Sequence, residues 1–327
     1  MSAGRIAAVE RGDMSTTATV LANIQLRSVL IATDFSAASE KALRHALAIA
    51  RYYGAKLYAM HVVSSIGLTI VGPEAIAQAT STALQDAALT ERRLVSSGAL
   101  KNIRHQVIIR QGNDIWAELE AVVRDKGVDL LVLGTHGRTG LKRLALGSIA
   151  ERIFRNAHCR VLTVGPCSPP DARLAVDGTP RPVLFATDFS EASLRALPEA
   201  ASLANQRRAK LVLLHMLWLV PQAEDNRWYT ASDVVKARAA AEATTRKRLE
   251  ELVANVPLAV EPGFIIDFGE PAEGILRAAE SLHAEIITLG LKDKRHIETI
   301  SHLPWSTAYD VVCAATCPVL TVRTDNR

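Results

Sequence analysis

Short apolar runs alternate along this chain with longer stretches whose apolar residues recur every three or four positions. Residues 28–33, 56–63, 103–110, 129–133 and 160–164 are apolar runs bounded by turn residues, and each predicts a strand. Between them, residues 38–53 carry Ala42, Leu43, Ala46, Leu47 and Ala50 at helical spacing, with Gly54 suited to the helix end. Residues 74–97, 115–126 and 148–156 read as further helices. Strands apolar on both faces and separated by helices predict a parallel sheet covered on both sides, with right-handed crossovers.

The pattern then repeats. Val29-Leu30-Ile31-Ala32-Thr33-Asp34-Phe35-Ser36 returns as Val183-Leu184-Phe185-Ala186-Thr187-Asp188-Phe189-Ser190. His61 returns as His215, Gly112 as Gly269, Gly134 as Gly290, and Cys159 as Cys317. A period of about 155 residues is far longer than a solenoid unit, so a whole domain is duplicated. The expected organisation is an arm at 1–24, a domain at 25–166, a linker at 167–181 and a second domain at 182–324. Pro166, Pro169, Pro170 and Pro180 mark the linker region.

Composition narrows the function. The chain has 327 residues, 49% hydrophobic and 22% charged, enough apolar material for two cores. A net charge of +4 with dispersed basic residues disfavours nucleic acid as the main partner. Cys313-x3-Cys317 has no second pair or histidine cluster to complete a zinc site, so no metal site is expected. The first residues lack the apolar core of a secretory signal, and no run is long enough to span a membrane. These features predict a soluble, cytoplasmic protein.

One segment carries chemistry that its repeat lacks. Gly134-Thr135-His136-Gly137 is followed, after nine residues, by Gly147-Ser148 at the start of a helix. Glycines let backbone approach a ligand and permit positive φ, while a helix N-terminus offers free N–H groups and a favourable dipole to an anion. Arg138, Lys142 and Arg143 add charge. A plain glycine-containing turn capped by Ser148 is the competing reading; the full spacing, with Asp34 on the adjacent strand, favours a nucleotide site. Asp34 is read both as a turn residue and as a polar contact to the nucleoside. His61 is read as a strand-end histidine with a structural hydrogen bond, because His215 repeats it.

These pieces resemble the universal stress protein family over about residues 24–166 and 182–322. The matching elements are the Thr-Asp-Phe-Ser strand end, the His-Val strand end and the run from Gly134 to Ser148. The resemblance implies two tandem open parallel five-stranded α/β sandwiches, Rossmann-like, paired within the chain through their last strands as a pseudo-dimer. It implies ATP as cofactor, with Mg²⁺ carried by the phosphates. An adenine slot would lie near Ala32, Thr33, Asp34 and Val62, with phosphates near Gly137, Gly147, Ser148 and Ile149. Gly134, His136 and Arg138 complete the implied binding set.

In the second copy, Asp293 replaces the second glycine and Trp305 stands where Gly147 stands. A carboxylate repels phosphate and an indole fills a close-approach position, so the second copy is expected not to bind ATP in the same way. The leading functional expectation is an ATP-binding stress or signalling module with a protein partner, compatible with a homo-oligomer. A slow ATPase and an assembly scaffold are the alternatives. No Gly-x4-Gly-Lys-Ser/Thr loop is present, and Asp34 and His136 lack an evident orienting partner, so no catalytic residue is assigned.

Overall fold

The computed structural model describes residues 25–65, 72–135, 146–169, 180–218, 231–291 and 304–323. The expected arm, most of the expected linker, and His136, Gly137, Arg138, Lys142, Arg143 and Asp293 lie outside these residues.

The first half runs β1 (Ser28–Ala32), α1 (Ala37–Tyr53), β2 (Lys56–Ser64), α2 (Pro73–Ser96), β3 (His105–Gly112), α3 (Ile115–Asp125), β4 (Leu130–Gly134), α4 (Ser148–Asn156) and β5 (Arg160–Val164). The apolar repeats set these elements, and local polar groups end them. Ser36 caps α1 by accepting from the Ser39 N–H, and Gly54 closes it at φ 64°. β3 starts two residues later than its apolar run. Asn102 adopts φ 63° and the Ile103 N–H donates to the Leu100 carbonyl at 3.0 Å, so Ile103 serves the core from a turn.

The second half runs β6 (Val183–Ala186), α5 (Glu191–Arg195), α6 (Leu197–Arg207), β7 (Leu211–Leu217), α7 (Ala231–Val253), β8 (Gly263–Phe268), α8 (Pro271–Ser281), β9 (Ile286–Leu291), α9 (Pro304–Ala314) and β10 (Val319–Arg323). Together α5 and α6 span the same length as α1. They are broken at Ala196 because Pro198 has no N–H to continue the ladder.

All ten strands form one sheet in the order β3-β2-β1-β4-β5-β10-β9-β6-β7-β8. Pairing is parallel within each half and antiparallel between β5 and β10. Leu162 sits opposite Leu320, its own equivalent, so a local twofold axis passes between them. The Thr163 hydroxyl donates to the Val319 carbonyl and the Thr321 hydroxyl to the Val161 carbonyl, at 3.2 and 3.3 Å. The expected pseudo-dimer therefore forms. Each face of the sheet carries an apolar core that runs continuously across both halves. One core contains Leu30, Phe154, Val161, Ile287 and Val311; the other contains Ile31, Leu47, Leu162, Phe185 and Leu320.

Candidate functional site

In the first half the chain changes direction across the sheet between β1 and β4. A doubly wound sheet binds ligands at such a reversal, beyond the strand C-termini. A cleft of about 250 Å³ opens there. Of the expected binding residues, Ala32, Thr33, Asp34, Val62, Gly134, Gly147, Ser148 and Ile149 all line it. His136, Gly137 and Arg138 lie outside the described residues.

The turn after β1 is built from its own side chains. The Asp34 carboxylate accepts from the Ser36 N–H at 3.0 Å, and the Thr33 hydroxyl accepts from the Phe35 N–H at 3.0 Å. Phe35 adopts φ 60°. The second half reproduces this turn: Asp188 accepts from Ser190, Thr187 from Phe189, and Phe189 adopts φ 58°. His61 fits the structural reading. Its Nδ1 lies 2.8 Å from the Thr33 carbonyl, as His215 Nδ1 lies 2.7 Å from that of Thr187. Both imidazoles pack on the phenylalanine of the neighbouring turn, Phe35 or Phe189. Burial foremost pushes His215 below the ordinary histidine value.

The structure gives Gly134 and Gly147 particular backbone roles. Gly134 is not a positive-φ residue. A Cβ there would come within 3.2 Å of the Ala38 backbone, so this glycine lets α1 approach β4 closely. The cap of α4 is Gly147, not Ser148. Gly147 has φ −59° and ψ 148°, a conformation open to any residue, and no side-chain cap bond to this helix is formed among the described residues. Its own N–H donates to the Thr135 carbonyl at 2.9 Å. Ser148, Ile149 and Ala150 form the first turn at the cleft, behind a cap residue that has no side chain of its own. In the second half, α9 begins at Pro304, so Trp305 is already inside the helix where Gly147 precedes one.

A clamp at the rim leaves no trace in the apolar periodicity. Asp114 caps α3 by accepting from the Trp116 and Ala117 N–H groups. It also takes both arms of Arg152 from α4, at 2.9 and 2.8 Å. The Arg152 hydrogen bonds, followed by that from Ala117, hold the Asp114 carboxyl below the usual range. The pair ties α3 to α4, and both helices send residues into the cleft, Ile115 and Leu119 from one and Ile149 and Ile153 from the other. The Asn113-Asp114 turn ahead of an apolar helix was the available signal. The α8 cap is Glu270, without a side-chain cap bond, and Asp310 stands at the Arg152 position.

No group of three or more metal-ligating side chains occurs among the described residues. Burial drives the Cys317 thiol up to about 12 and raises Cys313, so neither is poised as a thiolate. No helix among the described residues is long and apolar enough to cross a membrane.

These features define a duplicated doubly wound α/β protein with a cleft at the strand reversal of its first half. The family model for the universal stress protein family matches residues 25–165 and 180–323. Universal stress protein MJ0531 of Methanocaldococcus jannaschii is 35% identical over 142 residues, covering 42% of this chain and 81% of that protein. The crystal structure of a universal stress protein from Archaeoglobus fulgidus covers 92% of this chain and 99% of its own at TM-score 0.67 and 19% identity. A universal stress protein solved in complex with cAMP covers 44% of this chain and 98% of its own, at 20% identity and TM-score 0.31. The chain belongs to the universal stress protein family.

Proposed function

We propose that the first half binds one adenine nucleotide and that the protein works as a nucleotide-responsive stress or signalling module. The observation that carries this reading is the first turn of α4, which faces the cleft behind a cap residue without a side chain. Its N–H groups and dipole suit phosphate oxygens. The cleft also suits a nucleoside: Met60, Val62, Ile115 and Leu119 supply apolar surface, and Asp34 supplies polarity. A volume near 250 Å³ falls just below the range of ligand pockets, which starts at about 300 Å³, and matches a nucleoside better than a whole nucleotide. The phosphates would then extend toward Gly147, Ser148 and the run that includes His136, Gly137 and Arg138, with Mg²⁺ held through them.

The second half is assigned no equivalent site, since its helix runs through the position of the bare turn and its run carries Asp293. Occupancy of the first half would shift its loops and so its affinity for a protein partner. Isothermal titration of ATP, ADP, AMP and cAMP into the purified chain tests the reading. One nucleotide per chain is expected. A stoichiometry near two defeats the asymmetry, and absence of binding to all four defeats the module.

A further inference from the structure

α4 is the only cleft-facing helix of the first half, among the described residues, whose start and end are both held by the other half. At its start, the Leu146 backbone hydrogen-bonds the Tyr309 hydroxyl and the Cys313 thiol of α9. Along its length, the Phe154 and Tyr309 rings meet edge to face, 6.2 Å between centroids. At its end, the Arg323 guanidinium of β10 donates to the Phe154 carbonyl and, at 2.8 Å, to the Arg155 carbonyl. A cation there complements the helix dipole.

The pseudo-twofold axis supplies the comparison. Counted from Leu162 and Leu320, the equivalent of Leu146 is Pro304, which has no N–H to donate. The equivalent of Tyr309 is Glu151, and that of Arg323 is Gly165. Gly165 has no side chain to reach across, and a Cβ there would sit 3.1 Å from the Ala315 carbonyl oxygen. The second half holds α4 by contacts that the first half cannot return to α9.

We propose that Tyr309 and Arg323 are positioning residues for the nucleotide site of the first half. They fix α4 along its axis and so set where the N–H groups of residues 148–150 point. This inference rests on the nucleotide reading above. Leu146 directly precedes the Gly147 turn, so a shift at Tyr309 is passed straight to those donors.

The test uses full-length Tyr309→Phe and Arg323→Gln proteins, titrated with ATP and with adenosine, and amide hydrogen exchange of residues 146–156 without ligand. Each variant is expected to weaken ATP about five- to tenfold while adenosine stays within about twofold, because the phosphate-facing donors move and the nucleoside wall does not. Exchange should quicken at the first turn of α4 and not in β1 or β2. Equal weakening of ATP and adenosine, or exchange that rises everywhere, means general destabilisation and overturns the inference. Unchanged ATP affinity in both variants overturns it too. If the parent protein binds neither ligand, the nucleotide reading fails; the exchange pattern of α4 still decides whether Tyr309 and Arg323 position the helix.

Discussion

Arg160 on β5 and Glu199 on α6 form an ion pair between the halves, and its removal has a cost that depends on which partner goes. Arg160 Nε lies 2.6 Å and Nη2 2.5 Å from the same Glu199 oxygen. The Glu199 side chain is 9% exposed and the Arg160 side chain 32%. Arg160→Ala therefore takes the direct partner from a carboxylate beside a cavity lined by Leu162, Leu203 and Leu320, with Arg181 and the Glu285-paired Arg207 also on its wall. Breaking a fully buried pair costs about 3–5 kcal/mol. Arg160 is a third exposed, so solvent lowers this to about 3 kcal/mol. Glu199→Ala leaves a guanidinium already within reach of water, at a cost of about 1 kcal/mol. Replacing both, as Arg160→Met with Glu199→Leu, removes the stranded charge and should fall within about 1 kcal/mol of the parent. Urea unfolding followed by far-ultraviolet circular dichroism and tryptophan fluorescence gives all three values. If Arg160→Ala costs no more than Glu199→Ala, or if the double variant is as unstable as Arg160→Ala, the buried-charge argument is wrong.

The two strand-end glycines should respond unequally to the same substitution. A Cβ at Gly290 would meet the Ala192 carbonyl oxygen at 2.0 Å, against 3.2 Å from Ala38 for Gly134, so α5 must shift where α1 need only yield slightly. Gly290→Ala is expected to cost about 3 kcal/mol and Gly134→Ala about 1 kcal/mol in thermal or chemical denaturation; equal losses count against the close approach of α5 to β9. His215 contributes to stability above its unfolded pKa near 6.5 and loses that contribution as pH falls through its lower folded value, because the unfolded chain binds the proton first. His215→Gln should flatten the fall of midpoint denaturant between about pH 7 and 5; an unchanged slope refutes the assignment.

Strand and helix positions were legible because continuous apolar runs and helical spacing are local signals. The β5–β10 pairing was legible only through the family resemblance, since nothing in either strand names its partner. The site was legible in part. Asp34, Val62 and Ser148 stood out by type and place, and the structure brings them to one cleft. The roles of two glycines were not legible. Gly134 is required by a helix 96 residues earlier in the chain, at Ala38, and no spacing rule sees such a contact. Gly147 lacks the positive φ that glycine usually signals. The Asp114–Arg152 clamp also joins residues whose proximity exists only after α3 and α4 pack.

A homodimer with this architecture would present each surface to its own copy, so any residue supporting the neighbour's site would recur beside its own. Joining the copies in one chain lifts that constraint: Pro304 and Glu151 can differ in chemistry from Leu146 and Tyr309, the residues at the equivalent positions. The proposed restriction of nucleotide binding to the first half and the proposed support of α4 by the second are then compatible, since neither has to be repeated. This makes a gain-of-site experiment informative. Pro304→Leu with Trp305→Gly restores the first half's residues at the start of α9. It does not supply an arginine at Asp310 to clamp α8, nor a side chain at Gly165 to hold the end of α9. Titration of that double variant should still give one ATP per chain. A second equivalent would show that the glycine turn alone makes the site, and that the clamp and the one-way support contribute nothing essential to it.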